Sequence, residues 1–95
     1  MIRVEWSERK NRLNSLKHNV TFEEALTVFD DPSQSSVADP DHSFDESRYI
    51  TIGLSNRNRL IIMAHTFDGG NIRIISARKP TRSERLKYEE GVFDA

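Results

Sequence analysis

The side chains with the clearest chemical potential in this 95-residue chain are cations on or beside predicted strands. Arg73 projects from a strand over residues 72–77 and Arg78 follows at its end, with Ile74, Ile75, Ser76 and Ala77 tying both to rigid backbone. Arg48 opens an earlier strand, and Lys17-His18 closes the first helix. A guanidinium is a planar fork that binds phosphate bidentately and never deprotonates, so strand arginines suit a polyanion. They also suit RNA cleavage without a metal. In that reaction the 2′-hydroxyl attacks its own phosphate, and fixed cations stabilise the charge that develops on the phosphoryl oxygens. His18 or Lys17 is the candidate base for the 2′-hydroxyl proton, and Tyr88 on the last helix is a candidate donor. Each residue also has an ordinary reading. A strand arginine can be a salt-bridge partner, His18 can favour the negative end of its helix, and Tyr88 can simply pack. Strict alternation puts Arg73 and Arg78, five positions apart, on opposite faces. One site for both therefore requires a bend or bulge before Arg78.

Other chemistries lack their residues. There is no GxGxxG or GxxxxGK[ST] phosphate cradle, no nucleophile elbow and no cysteine. Gly69-Gly70 reads as a hairpin turn. His18, His42 and His65 are scattered, and His65, alternating with Ile61, Met63 and Phe67, reads as a satisfied, partly buried histidine. Asp39, Asp41, Asp45 and Glu46 could recruit a hard cation but lack calcium-loop spacing. Neither a metal nor a cofactor is expected.

The elements that must hold these groups are legible from period and caps. Residues 2–6 alternate Ile2, Val4 and Trp6 with Arg3 and Glu5, the period of a half-buried strand. Ser7 caps a helix over 8–18, with Leu13 and Leu16 as a thin apolar stripe, and Asn19 ends it. Thr21 with Glu24 opens a second helix whose Phe22, Ala25, Leu26 and Phe29 share one face, and Asp31-Pro32 stops it. Residues 35–39 offer a short strand. Three strands follow over 48–54, 60–67 and 72–77, joined by the hairpin-length loops 55–58 and 68–71. Thr81 and Glu84 repeat the cap spacing for a last helix ended by Gly91. Helices gather before and after the strands instead of alternating with them, so the expected fold is α+β, with an antiparallel sheet.

At this length, with 31% charged and 36% hydrophobic residues, one domain spanning 1–95 is expected. The longest apolar run, 60–64, is strand-sized, and the first residues lack a signal-peptide core, which points to the cytoplasm and away from membranes. The net charge of −1 hides a layout. Residues 1–20 carry +3, residues 21–50 carry −7, and residues 51–95 carry +3. Basic ends around an acidic middle read either as an ordinary solvated surface or as a polyanion face with an acidic region elsewhere.

Several segments together resemble the BrnT family. They are Val4-Glu5-Trp6, the run from Lys17-His18-Asn19 through Val20-Thr21-Phe22 to Glu23-Glu24-Ala25, and Val28-Phe29-Asp30-Asp31-Pro32. Later come Glu46-Ser47-Arg48-Tyr49, the strand holding Gly53, the run Arg73-Ile74-Ile75-Ser76-Ala77-Arg78-Lys79, and Glu84-Arg85 with Tyr88-Glu89. The family's usual glycine after Lys-His is Asn19 here, and Pro80 stands where a small residue is common. Asn also reaches positive φ, whereas Pro80 shortens the path out of the strand beside Arg78. The resemblance implies a RelE-like ribonuclease fold and a type II toxin that cleaves RNA without a metal and arrests growth. It also implies a BrnA-type antitoxin as partner, assembled as a heterotetramer, with operator DNA reached only through the antitoxin. Arg73 and Arg78 would then bind phosphate and transition state, with Arg48 and Lys17 as supporting cations. A non-catalytic nucleic-acid-binding module or an inactive toxin remnant would use the same residues.

Overall fold

Caps set the helices of the computed structural model, which describes residues 2–41 and 47–94. The Ser7 hydroxyl accepts the Lys10 N–H and starts α1 (Glu8–His18), and Asn19 ends it in the left-handed region at φ 57°. Thr21 likewise caps α2 (Phe22–Leu26) through the Glu24 N–H. The expected second helix is short, because the chain tightens into a 3-10 turn over Thr27–Asp30 before Asp31-Pro32 turns it away. In α3 (Arg82–Glu90) both halves of the Thr81–Glu84 capping box form, and Gly91 closes it at φ 72°.

Five strands make one sheet: β1 (Arg3–Glu5), β2 (Ser35–Ala38), β3 (Arg48–Leu54), β4 (Leu60–Asp68) and β5 (Asn71–Arg78), in the order β1-β5-β4-β3-β2. The pairs β2–β3, β3–β4 and β4–β5 are antiparallel, which the hairpin-length loops of the last two require. β1 instead lies parallel to β5, with Val4 opposite Ile72. No short loop links these two strands, so nothing local sets their direction.

The pairings sort side chains onto two faces. One face carries Ile61, Met63, Ile72, Ile74 and Ala77 and packs under Val20, Phe22, Ala25 and Val28 of the helical layer. The other carries Ile52, Leu60 and Ile62 and is covered at one end by Tyr88 of α3 and by Phe93. Gly53 allows the 3-10 turn to lie close on β3, since a Cβ there would stand 2.8 Å from Val28 Cγ1.

α1 packs by an unexpected route. Leu13 and Leu16 face solvent, and the buried residues of the helix are Asn11 and Asn14. The Asn14 amide donates to Val20 O (2.9 Å) and Ala77 O (2.8 Å) and accepts from Ala77 N (3.1 Å), clamping α1 to β5. Asn11 accepts from Phe22 N (2.9 Å) and donates to Glu23 Oε1 (2.8 Å), joining α1 to α2.

Candidate nucleic-acid interface

The arginines come together through one irregularity in the sheet. Ala64 pairs with Ser76 but His65 with Ile74, so Ile75 is an extra residue on β5. A β-bulge of this kind changes the parity of everything beyond it. Ile72, Ile74 and Ala77 therefore all face the helices, and Arg73 and Arg78 share the opposite face. The condition that alternation imposed on a common site is met at Ile75.

Arg48 joins them. It pairs with Thr66, and Thr66 pairs with Arg73, giving a row Arg48–Thr66–Arg73 across three strands, continued by Glu5 beside Arg73 on β1. Residues opposite one another on adjacent strands point to one face, so Arg48 and Arg73 stand two strand spacings apart, roughly 10 Å at Cα. Arg78 pairs with Ile62, four positions down β4 from Thr66, roughly 13 Å along the same face.

Arg78 is engaged within the protein. Its guanidinium donates to both Glu84 oxygens, at 2.8 and 3.0 Å, while Glu84 Oε1 also accepts the Thr81 N–H at 2.7 Å. The Arg78 hydrogen bonds hold the Glu84 carboxyl down at about 2, against the opposing effect of burial. Beside the pair lies a depression of about 190 Å³, lined by Arg78, Glu84, Asp39, Asp41, Ile50 and Phe93. Asp39 is buried, accepts from Asp41 N and donates its N–H to Arg48 O. His42, Asp45 and Glu46 lie outside the described residues. Among the described residues, no three His, Cys, Asp or Glu side chains come close enough to share a metal ion.

The remaining candidates are not brought to the arginine row. Tyr88 donates its hydroxyl to Asp31 Oδ2 at 2.6 Å. Desolvation, reinforced by the Asp31 carboxylate, pushes it up to about 12. Burial alone would raise Asp31, but hydrogen bonds from Tyr88 and from the Leu54 and Ser33 N–H groups hold it below the usual carboxylate range. This pair sits at the Leu54 end of β3, six residues and roughly 20 Å from Arg48. Lys17 and His18 end α1, which rests on the helical face of the sheet through Asn14 and Ala77.

His65 is the satisfied, buried histidine that its strand alternation predicts, and it sits in a cluster with partners the sequence did not show. The ring of His65 is buried, edge-on to Phe29 and stacked on Tyr49, and its Nε2 shares a 2.7 Å hydrogen bond with Thr51 Oγ1. Thr51 Oγ1 also meets Ser36 Oγ at 2.5 Å. Burial pushes the His65 imidazole below its ordinary value. The alternation around His65 was legible; the cross-strand partners Thr51 and Ser36 required the register.

Comparison with known proteins follows the same lines. The family model described as "Ribonuclease toxin, BrnT, of type II toxin-antitoxin system" matches residues 6–84. The crystal structure of the Brucella abortus ribonuclease toxin, BrnT, is similar, with a TM-score of 0.66 and 20% identity. The likeness covers 86% of this chain and 100% of that one. Curated proteins give no match.

Proposed function

Since this chain belongs to the BrnT family of ribonuclease toxins of type II toxin–antitoxin systems, we propose that it cleaves RNA internally and without a metal, on the sheet face that carries Arg48 and Arg73. The observation that carries this reading is the bulge at Ile75, which gathers Arg48, Arg73 and Arg78 on one face. The 2′-hydroxyl oxygen forms a bond to the adjacent phosphorus as the bond from phosphorus to the 5′-oxygen breaks. The products are a 2′,3′-cyclic phosphate and a 5′-hydroxyl, with the two protons exchanged with solvent at the open face. Arg73 and Arg48 hold the phosphoryl oxygens as charge develops there. Arg78, shared with Glu84, takes a neighbouring phosphate. Lys17 and His18 lie on the helical side of the sheet and take no part in this step, and Tyr88 acts through the packing of α3.

In the cell this activity arrests growth, and a BrnA-type antitoxin neutralises it in a cytoplasmic heterotetramer that contacts operator DNA through the antitoxin. Among the described residues no helix is long and apolar enough to cross a membrane. Incubating the purified chain with end-labelled RNA in EDTA tests the chemistry. Discrete cleavage products with cyclic phosphate ends are expected. A mobility shift without cleavage supports a binding module instead, and cleavage that returns only with magnesium or manganese contradicts the metal-free step.

A further inference from the structure

The face of the sheet opposite the arginines carries an open trench of about 630 Å³. All five strands contribute to it: Val4, Ile72, Phe67, Tyr49 and Ser36 line it in sheet order. Leu26 and Phe29 of the helical layer form its wall. Four strand spacings make it roughly 19 Å long, the length of about 13 residues of α-helix. Its margins are apolar and open to solvent, with Ile2 61% and Phe67 42% exposed. A continuous exposed apolar surface of this kind marks a binding site.

Charge narrows the occupant. Asp30 is the charged side chain among the lining residues. Its carboxylate at the trench edge favours a partner with a basic flank. Membership of a type II toxin family supplies the partner, since that class is neutralised by a protein antitoxin. We infer that the trench seats an amphipathic helix of the antitoxin, its apolar stripe on Phe67, Tyr49 and Phe29 and its basic flank against Asp30. The inference rests on the toxin reading above. Because the trench and the arginines lie on opposite faces, the trench supplies affinity, and binding can be measured apart from neutralisation.

The test uses the full chain co-expressed with the product of the adjacent reading frame, followed by calorimetry on the purified components. Phe67→Asp and Ile2→Asp place a carboxylate at the trench margin, at positions exposed enough to leave folding intact. Leu16→Asp on α1, where the side chain is 85% exposed, is the control. Weakening by about 30-fold or more is expected in the trench variants, with the control unchanged and melting temperatures preserved. Equal binding by all three overturns the trench assignment and leaves the toxin reading standing. A wild-type chain that binds no neighbouring product contradicts both. A self-dimer broken by Phe67→Asp makes a second copy the occupant. Loss of RNA cleavage with unchanged antitoxin binding makes the trench a nucleobase cleft. Either of these last two results overturns the proposal.

Discussion

Glu84 shows how one side chain can serve two levels of structure. Its spacing from Thr81 announces a helix cap, and the cap forms. The same carboxylate also clasps Arg78 with both oxygens, which no spacing rule announces, because the clasp depends on how sharply Lys79-Pro80 turns the chain back over the strand end. The salt-bridge role open to any strand arginine is thus realised at Arg78, but its partner was not legible. The pair has a pH signature. The Glu84 pKa falls from 4.5 in the unfolded chain to about 2 when folded. Its contribution is therefore complete above about pH 4.5 and lost as pH falls towards 2. The pair is open to water and screened, so Arg78→Ala is expected to cost about 1 kcal/mol at pH 7. Urea melts at pH 7 and pH 3 check this: the gap between wild type and variant should narrow at the lower pH. A constant gap would place the effect of Arg78 elsewhere.

At the scale of elements, α1 is where sequence periodicity and structure part company. A periodicity reading looks for an apolar stripe and finds Leu13 and Leu16, yet these face water. The packed side is made of Asn11 and Asn14, whose amides satisfy backbone groups at the start of α2 and on β5. Buried polar groups stabilise when fully paired, and leaving their partners orphaned is costly. Asn14→Leu removes hydrogen bonds to Val20 O and to both backbone groups of Ala77, and is expected to destabilise by about 3 kcal/mol. Leu16→Asn, at an exposed position, should stay within roughly 0.5 kcal/mol of wild type. Chemical denaturation of both variants provides the check. The strands, by contrast, were legible nearly to their ends, because loop length and alternation are local properties. The direction of β1 was not, since its partner lies some seventy residues away in the sequence.

Across the whole molecule, the sheet separates two tasks. Its helical face supports the core and the apolar trench, and its other face presents Arg48 and Arg73. The sequence stated the requirement for this arrangement, a break in alternation between Arg73 and Arg78. It did not locate the break, because Ile75 is indistinguishable by type from the strand residues around it. The family's motif segments were readable because they are contiguous, whereas the row of Arg48, Thr66 and Arg73 exists only once three strands are in register. The central claim is that this row holds the phosphoryl oxygens during cleavage. Removing one oriented donor to developing charge typically lowers a rate on the order of 100-fold to 1000-fold. The most direct measurement is the single-turnover cleavage rate of labelled RNA, in EDTA, by wild type, Arg73→Ala and Arg73→Lys, each verified by its thermal melt. A fall of about that size in Arg73→Ala with an unchanged melt, poorly rescued by lysine, is the predicted result; a folded Arg73→Ala that cuts at the wild-type rate would contradict it.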